Sequence, residues 1–227
     1  EEFAESAAKL VRYGIKLTGG CCGTNPDYIR ALKKALEPLK YEKNTPMCEA
    51  AVCSAEKVVV INQPRIIGER INPTGKKLFK EALRKGDIDY ILGQAIEQSQ
   101  AGAEILDVNV GLPEIDEKAM MVRTVKALQG VTDLPLQIDS TIPEVIEAAL
   151  RVYNGKAIVN SVNGEAGSME KILPIVKKYG AAVVGLTLDE DGIPKTAEKR
   201  FEIAERIMNK AIEMGISKEN IFIDCLT

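Results

Sequence analysis

Acids and amides stand at the ends of apolar runs through most of this sequence. Asp107 and Asn109 lie in the run Glu104–Val110, and Asp139 ends Leu134–Ser140. Asn160 and Asn163 end Ala157–Val162, and Asp224 ends Ile221–Leu226. Glu69 and Asn72 stand in the same place for Arg65–Ile71. Hardly any Lys or Arg stands among them. A carboxylate buried without a cationic partner is costly, so a shared face of such groups calls for a ligand rich in N–H donors. The alternative at each position is a helix cap, since Asp and Asn side chains accept hydrogen bonds from the first turn of a following helix. The sequence contains no histidine. That excludes imidazole bases, Ser–His–Asp triads and His-ligated metals, and leaves carboxylates, amides and thiols.

The elements that must place these groups are legible from periodicity and punctuation. Short apolar runs alternate with helical patterns, which predicts strands at the five runs above and at Ala181–Leu188. Asp87 predicts a helix start ahead of Ile88, Ile91, Leu92 and Ala95, with a stop at Gly102. Pro113 predicts a start ahead of Met121, Val125 and Leu128; Pro143 and Ser168 predict two more, the latter ending at Gly180. Thr196 opens the longest helix, with Phe201, Ala204, Met208 and Ala211 expected inward and Gly215 past its end. Strand–helix alternation with short loops means a parallel sheet. Six βα units without a Gly-x-Gly-x-x-Gly turn favour an incomplete (β/α)8 barrel, an α/β fold, and an open doubly wound sheet is the alternative. In a barrel the strand C-termini share one face. Alternation along Leu136-Gln-Ile-Asp139 puts Gln137 and Asp139 on one side of their strand.

Residues 1–40 read as a separate piece. Glu2–Tyr13 is amphipathic, Ile15–Thr18 is strand-like, and Asn25-Pro26 caps a helix with Ile29, Leu32 and Leu36 inward. Residues 41–64, with Pro46, Pro64 and scattered charge, read as a linker with a short strand at Val58–Ile61. Cys48 and Cys53 fall in it and read as plain linker thiols.

Composition narrows the function. The 227 residues carry 30 Lys+Arg against 33 Asp+Glu and no Trp, and aromatics make up only 4%, so neither a basic groove nor stacking rings for nucleic acid are in view. No apolar run approaches the length of a spanning helix. Five cysteines, two of them adjacent, do not form a secreted disulfide framework, and a reducing cytoplasm is expected. A first residue of Glu and a last stretch Ile221–Thr227 that stops in mid-element predict an excerpt of a longer protein.

The words Ile67-Gly-Glu-Arg-Ile-Asn-Pro-Thr-Gly75, Glu104-Ile-Leu-Asp-Val-Asn109, Gln137-Ile-Asp-Ser140 and Ile158-Val-Asn-Ser161 resemble the pterin-binding barrels of methyltetrahydrofolate methyltransferases. Thr18-Gly-Gly-Cys-Cys-Gly-Thr24 is similar to the end of a homocysteine-binding barrel. The order of the two is that of the cobalamin-dependent methionine synthases. The resemblance implies the end of a homocysteine barrel over 1–40, a linker over 41–64, and a truncated pterin barrel over 65–227. It implies that Asp139, Asn160 and Asp224 hold the pterin, with Glu69, Asn72, Asp107 and Asn109 lining the same mouth, and that Asn160 and Asp224 serve the reaction. A carboxylate suits the N–H fork of a 2-amino-4-oxo pyrimidine, and an amide, which both donates and accepts, suits its mixed edge. Cys225 stands where Pro is expected after Asp224. Cys21 and Cys22 match two of three zinc thiolates, the third lying outside this chain; inert packing is the alternative for the pair. The implied activity is methyl transfer from methyltetrahydrofolate, via a cobalamin held by another domain or protein, to zinc-bound homocysteine. Two alternatives stand beside it: a non-catalytic module presenting methyltetrahydrofolate to a corrinoid protein, and a corrinoid methyltransferase of one-carbon metabolism. Dihydropteroate synthases share such a barrel, but Asn72-Pro-Thr-Gly75 departs from the Asn-x-Thr-Pro-Asp-Ser-Phe expected of them.

Overall fold

A computed structural model describes residues 2–11, 13–40 and 49–226. The chain divides into two compact units, Glu1–Met47 and Cys48–Thr227. The first holds two helices, α1 (Glu2–Val11) and α2 (Pro26–Leu36). The expected cap is present: Asn25 Oδ1 accepts from Asp27 N at 2.9 Å and Tyr28 N at 3.3 Å, and Pro26 occupies the first turn, where its missing N–H costs nothing. Phe3 meets Tyr28 edge-on at 5.6 Å, and Ala4 and Leu32 are buried. Ile15–Thr18 is not a strand. A strand needs a ladder partner for its backbone, and among the described residues no segment pairs with it.

The second unit opens with a hairpin, β1 (Ala51–Cys53) against β2 (Val58–Val60), in antiparallel register. The short strand expected at Val58–Ile61 is β2, and it is paired with β1; Cys48 lies outside the described residues. Alternation decides it, because Val52 and Val59 point to one side and are buried against Ile105, Ile158 and Ala182. Cys53 is tied down by reciprocal backbone hydrogen bonds with Lys156, at 3.0 and 2.9 Å.

Six parallel strands follow: β3 (Ile67–Ile71), β4 (Ile105–Val108), β5 (Leu136–Asp139), β6 (Ile158–Asn163), β7 (Ala182–Leu186) and β8 (Ile221–Asp224). Each lies beside its neighbour in sequence. A doubly wound sheet reverses its strand order partway; this one never does, so it is a singly wound barrel wall. The strands' two faces do different work. Leu106, Val108, Leu136, Ile138, Val159 and Val183 face outward into the main core beneath the helices. Ile105, Ile158 and Ala182, at the N-terminal ends, face the other way and meet the hairpin. The base of the wall is thus closed by apolar contacts, and the inner polar residues lie toward the strand C-termini.

Helices α3 (Lys77–Lys85), α4 (Ile88–Gln100), α5 (Glu117–Leu128), α6 (Pro143–Val152), α7 (Ala166–Tyr179) and α8 (Ala197–Glu213) cover the outer face. The caps at Asp87 and Thr196, the Pro143 start and the Gly180 stop stand as expected. Others differ. Helix α3 has no side-chain N-cap and escapes a search for capping residues, although Gly86, left-handed at φ 64°, marks its end. Helix α5 begins after Asp116, whose carboxylate accepts from Ala119 N at 3.0 Å, and Pro113 stays in the loop. Helix α7 begins before Ser168, whose Oγ accepts from Asn163 N. Helix α8 buries Ile203, Ile207 and Ala211, whereas Phe201 is 69% exposed.

Candidate functional site

The first strand enters the site through a bulge. The β3–β4 register slips between Gly68 and Ile71, and Gln98 on α4 takes up the displaced amide: its Oε1 accepts from Arg70 N at 2.6 Å while its Nε2 donates to Gln94 O. A Cβ on Gly68 would stand 2.7 Å from that same Oε1, so only glycine lets the glutamine approach. Past the bulge, Asn72 Nδ2 donates to Glu69 Oε1 at 2.9 Å, and its Oδ1 accepts from Thr74 N. Lys76 Nζ closes the turn on Glu69 O. Asn72 is buried with both ends of its amide committed, so it shapes the turn that holds Glu69. Bulges of this kind re-aim a side chain beside a site.

Two layers of polar side chains rise toward the strand ends of β4, β5 and β6. In the lower, Asp107 and Gln137 are Cα partners across β4 and β5, and Gln137 Nε2 donates to Asp107 Oδ1 at 2.6 Å. Both are buried, Asp107 to 2% exposure. In the upper, Asn109 Nδ2 donates to Asp139 Oδ2 at 2.9 Å, and Asn109 Oδ1 accepts from Gly111 N. Asp139 is the Cα partner of Asn160. Ser140 Oγ donates to Glu117 Oε1 at 2.6 Å at the foot of α5.

The electrostatics follow from this crowding of acids. Burial pushes Asp107 up to about 7, with the charges of Asp139 and Glu69 adding to the rise and the hydrogen bonds of Gln137 and Asn160 opposing it. Asp139 is raised as well, chiefly by burial, with Glu69 and Glu117 contributing and Asn109 opposing. A carboxylate held up by neighbouring acids gains most from a ligand that brings N–H donors.

Of the seven residues expected at the mouth, Glu69 pairs with Asn72 and Asn109 with Asp139, Asp107 pairs with Gln137, and Asn160 lies beside Asp139 on the next strand. Asp224 ends β8, two strands beyond β6; it is exposed, and its Oδ1 accepts from Leu226 N at 2.8 Å. At Asn163 the capping alternative holds, since its Oδ1 accepts from Glu165 N. Gln98, Glu117 and Ser140 were not anticipated. Ser140 directly follows Asp139, but no local pattern points from a helix to the strand it serves.

In the first unit, Cys21 and Cys22 are exposed with their sulfurs 3.7 Å apart. Hydrogen bonds from Cys22, first from its backbone N–H and then from its thiol, lower the pKa of Cys21. Thr24 Oγ1 donates to Cys21 O at 2.6 Å, and a Cβ on Gly20 would stand 2.2 Å from that hydroxyl, so glycine is required there. Gly23 takes φ +83°. The spacing suits a metal, because Zn–S bonds of about 2.3 Å at the tetrahedral angle set two sulfurs roughly 3.8 Å apart. Among the described residues no cluster of three His, Cys, Asp or Glu stands ready to complete such a site.

The family model for pterin-binding enzymes matches residues 68–227. The chain belongs to the pterin-binding enzyme family. The model for homocysteine S-methyltransferases matches residues 1–36. Among curated proteins, the methionine synthases of Mycobacterium leprae (strain TN) and Mycobacterium tuberculosis (strain ATCC 25618 / H37Rv) are each 36% identical, over 246 and 237 aligned residues. Each alignment covers 100% of this chain but 20% of the relative, so the chain spans about a fifth of their length. Solved structures of similar fold include dihydropteroate synthase from Xanthomonas albilineans with 4-aminobenzoic acid (TM-score 0.58, 19% identity, covering 78% of this chain and 66% of that one). A second is the Yersinia pestis enzyme with a pterine–sulfa conjugate (TM-score 0.58, 18% identity, covering 77% and 63%). At such identity the likeness shows the fold of the pterin-binding wall and no more. Among the described residues no helix is long and apolar enough to cross a membrane.

Proposed function

We propose that this chain is part of a methyltransferase of the methionine synthase type, binding methyltetrahydrofolate on the inner strand-end face of the second unit and contributing two thiolates to a homocysteine site in the first. The observation that carries the reading is the pairs Asp107–Gln137 and Asn109–Asp139 with Asn160 beside Asp139, a group of acids and amides in which burial raises both acids and the charge of Asp139 adds to the rise at Asp107. In this reading the N–H fork of the pterin's pyrimidine edge donates to Asp139, which the Asn109 amide fixes in direction. Asn160 meets the mixed edge of the ring, and Asp224 completes the hold from β8. As the methyl group departs, the pterin nitrogen gains charge, and hydrogen bonds already aimed at it strengthen without reorganising. Cys21 and Cys22 would hold zinc; bound zinc lowers the pKa of a homocysteine thiol and keeps it nucleophilic. Cobalamin, held elsewhere in such an enzyme, supplies the methyl-carrying centre. A cytoplasmic setting, where thiols stay reduced, goes with this assignment.

Titration calorimetry with methyltetrahydrofolate tests the pterin half; saturable one-to-one binding is expected, and no heat at high ligand concentration would overturn it. Metal analysis of the same protein tests the thiol half. Two thiolates leave a tetrahedral ion half-coordinated, so zinc taken up by this chain should be lost on brief dialysis against chelator and should not be taken up by the Cys21→Ser, Cys22→Ser double variant. Zinc that the double variant retains would remove the two cysteines from the site.

A further inference from the structure

We infer that Gln98, on the helix behind the sheet, is a positioning residue: by holding the amide that the β3 bulge displaces, it aims the Glu69 carboxyl at the ligand face. The inference deepens the pterin reading and rests on it for the identity of the ligand. Strand parity shows what the bulge does. Residues three apart on a regular strand face opposite sides. Gly68 and Ile71 instead face the same side: a Cβ on Gly68 would meet Gln98 and Ala103, and Ile71 is fully buried in the core beneath the helices. The register accounts for it. Gly68 pairs with Leu106 and Ile71 with Val108, so Glu69 and Arg70 together stand opposite Asp107. Alternation from Gly68 turns Glu69 inward, the side that Asp107 faces. A regular strand that kept Ile71 in the core would turn Glu69 outward, beneath the helices. The bulge lets both residues hold their places at once.

A bulge leaves an amide out of the ladder, and here Gln98 takes it up. Arg70 N donates to Gln98 Oε1 at 2.6 Å. Gln98 is 7% exposed, and its amide is fixed from the other end, because Nε2 donates to Gln94 O one turn earlier at 3.0 Å. Removing the acceptor leaves a shielded N–H unpaired, which is costly. The strand recovers by slipping one residue, and such a slip turns the side chains beyond it to the other face. Ile71 is held by the core around it, so Glu69 is the residue that moves. Its contacts show what is lost. Asn72 Nδ2 donates to Glu69 Oε1 at 2.9 Å, and the backbone beside them is laddered to β4, with Asn109 N donating to Ile71 O at 2.9 Å. Asn109 in turn donates to Asp139. The Glu69 carboxyl therefore stands level with the Asn109–Asp139 pair, and its charge bears on both Asp107 and Asp139. A third inward acid on the first strand widens the set of acceptors that a donor-rich ligand edge meets.

Nuclear magnetic resonance on the full chain, isotopically labelled, tests this first without a ligand. Gln98→Met keeps the length of the side chain and removes its acceptor, whereas Gln98→Glu keeps an acceptor for Arg70 N. Solvent exchange of the Arg70 amide proton should quicken roughly tenfold in Gln98→Met, the loss of one hydrogen bond, and stay near wild type in Gln98→Glu. The Glu69 carboxyl resonance should move in the methionine variant and hold still in the glutamate one. Methyltetrahydrofolate binding should weaken about tenfold in Gln98→Met and be retained in Gln98→Glu. Added to Glu69→Ala, Gln98→Met should weaken binding no further, because a residue that acts through another is silent once that other is gone. Loosening of the fold would instead lower affinity by the same factor with or without Glu69. Gly68→Ala, whose Cβ crowds the same Gln98 oxygen, serves in the cycle if the methionine variant does not fold. A Glu69 resonance that stays fixed while the Arg70 amide loses its protection would overturn the inference, as would additive losses in the cycle. Absence of methyltetrahydrofolate binding by the wild type would instead remove the pterin reading, and the ligand-free resonances would still decide the positioning.

Discussion

Replacing Asp139 by alanine is expected to weaken methyltetrahydrofolate binding by roughly 2–3 kcal/mol, on the order of a hundredfold in Kd. The size follows from what the substitution leaves behind. Hydrogen bonds to a charged acceptor contribute more than neutral ones, and a ligand donor left unpaired in a buried site bears the cost of its own desolvation. Asp139 is half-enclosed, aimed by Asn109 Nδ2 at 2.9 Å, and raised by burial and by Glu69 and Glu117, so its carboxylate is short of donors before any ligand arrives. Asp139→Asn, which keeps the shape but offers a donor at one end, should lose a large part of the same affinity. Equal affinity in the wild type and the alanine variant, measured by calorimetry, would take Asp139 out of the binding face.

The second large effect is on stability and its pH dependence. Burial pushes Asp107 up to about 7 in the folded chain from an ordinary value of 3.8. Between those values the folded state keeps a proton that the unfolded state has lost. Stability from this group is therefore complete below about pH 4, falls as pH rises, and is fully lost once pH passes the folded value. A shift of this size corresponds to about 2–4 kcal/mol after allowing for relaxation around the ionised group. Asp139, raised in the same direction, adds to the slope. Asp107→Asn removes the larger contribution, and its amide still accepts from Gln137. Urea unfolding at a series of pH values should show the variant gaining on the wild type from pH 5 upward and exceeding it at pH 8. Parallel curves for the two proteins would mean that Asp107 is not the group that titrates.

How much of this was legible beforehand differs by element. The period of two in Leu136-Gln-Ile-Asp139 is enough to separate an outward apolar face from an inward polar one, and the same rule places Asp107 with Asn109. The caps at Asn25, Asp87 and Thr196 are local chemistry, read within a few residues of one another. Other features depend on partners distant in the chain. Helix α8 carries two apolar stripes at helical spacing, Phe201–Ala204–Met208 and Ile203–Ile207–Ala211, and only the packed sheet decides that the second is buried. The hairpin over 51–60 is two short valine-rich runs whose burial depends on the strand ends beneath them. Gln98 lies 28 positions from the amide it satisfies. Asp224 and Asn163 show the limit of composition at strand ends. Both are acids or amides in the expected place, yet each spends an oxygen on the backbone two residues ahead.

Whether the inner face reads the pterin itself is the central point, and a competition titration measures it most directly. The chain is saturated with methyltetrahydrofolate and titrated in parallel with a reduced pterin lacking the aminobenzoylglutamate tail and with the tail alone. Displacement by the pterin, lost in Asp139→Ala, is the result predicted from the acid and amide network. Displacement by the tail alone, with the pterin inert, would contradict it.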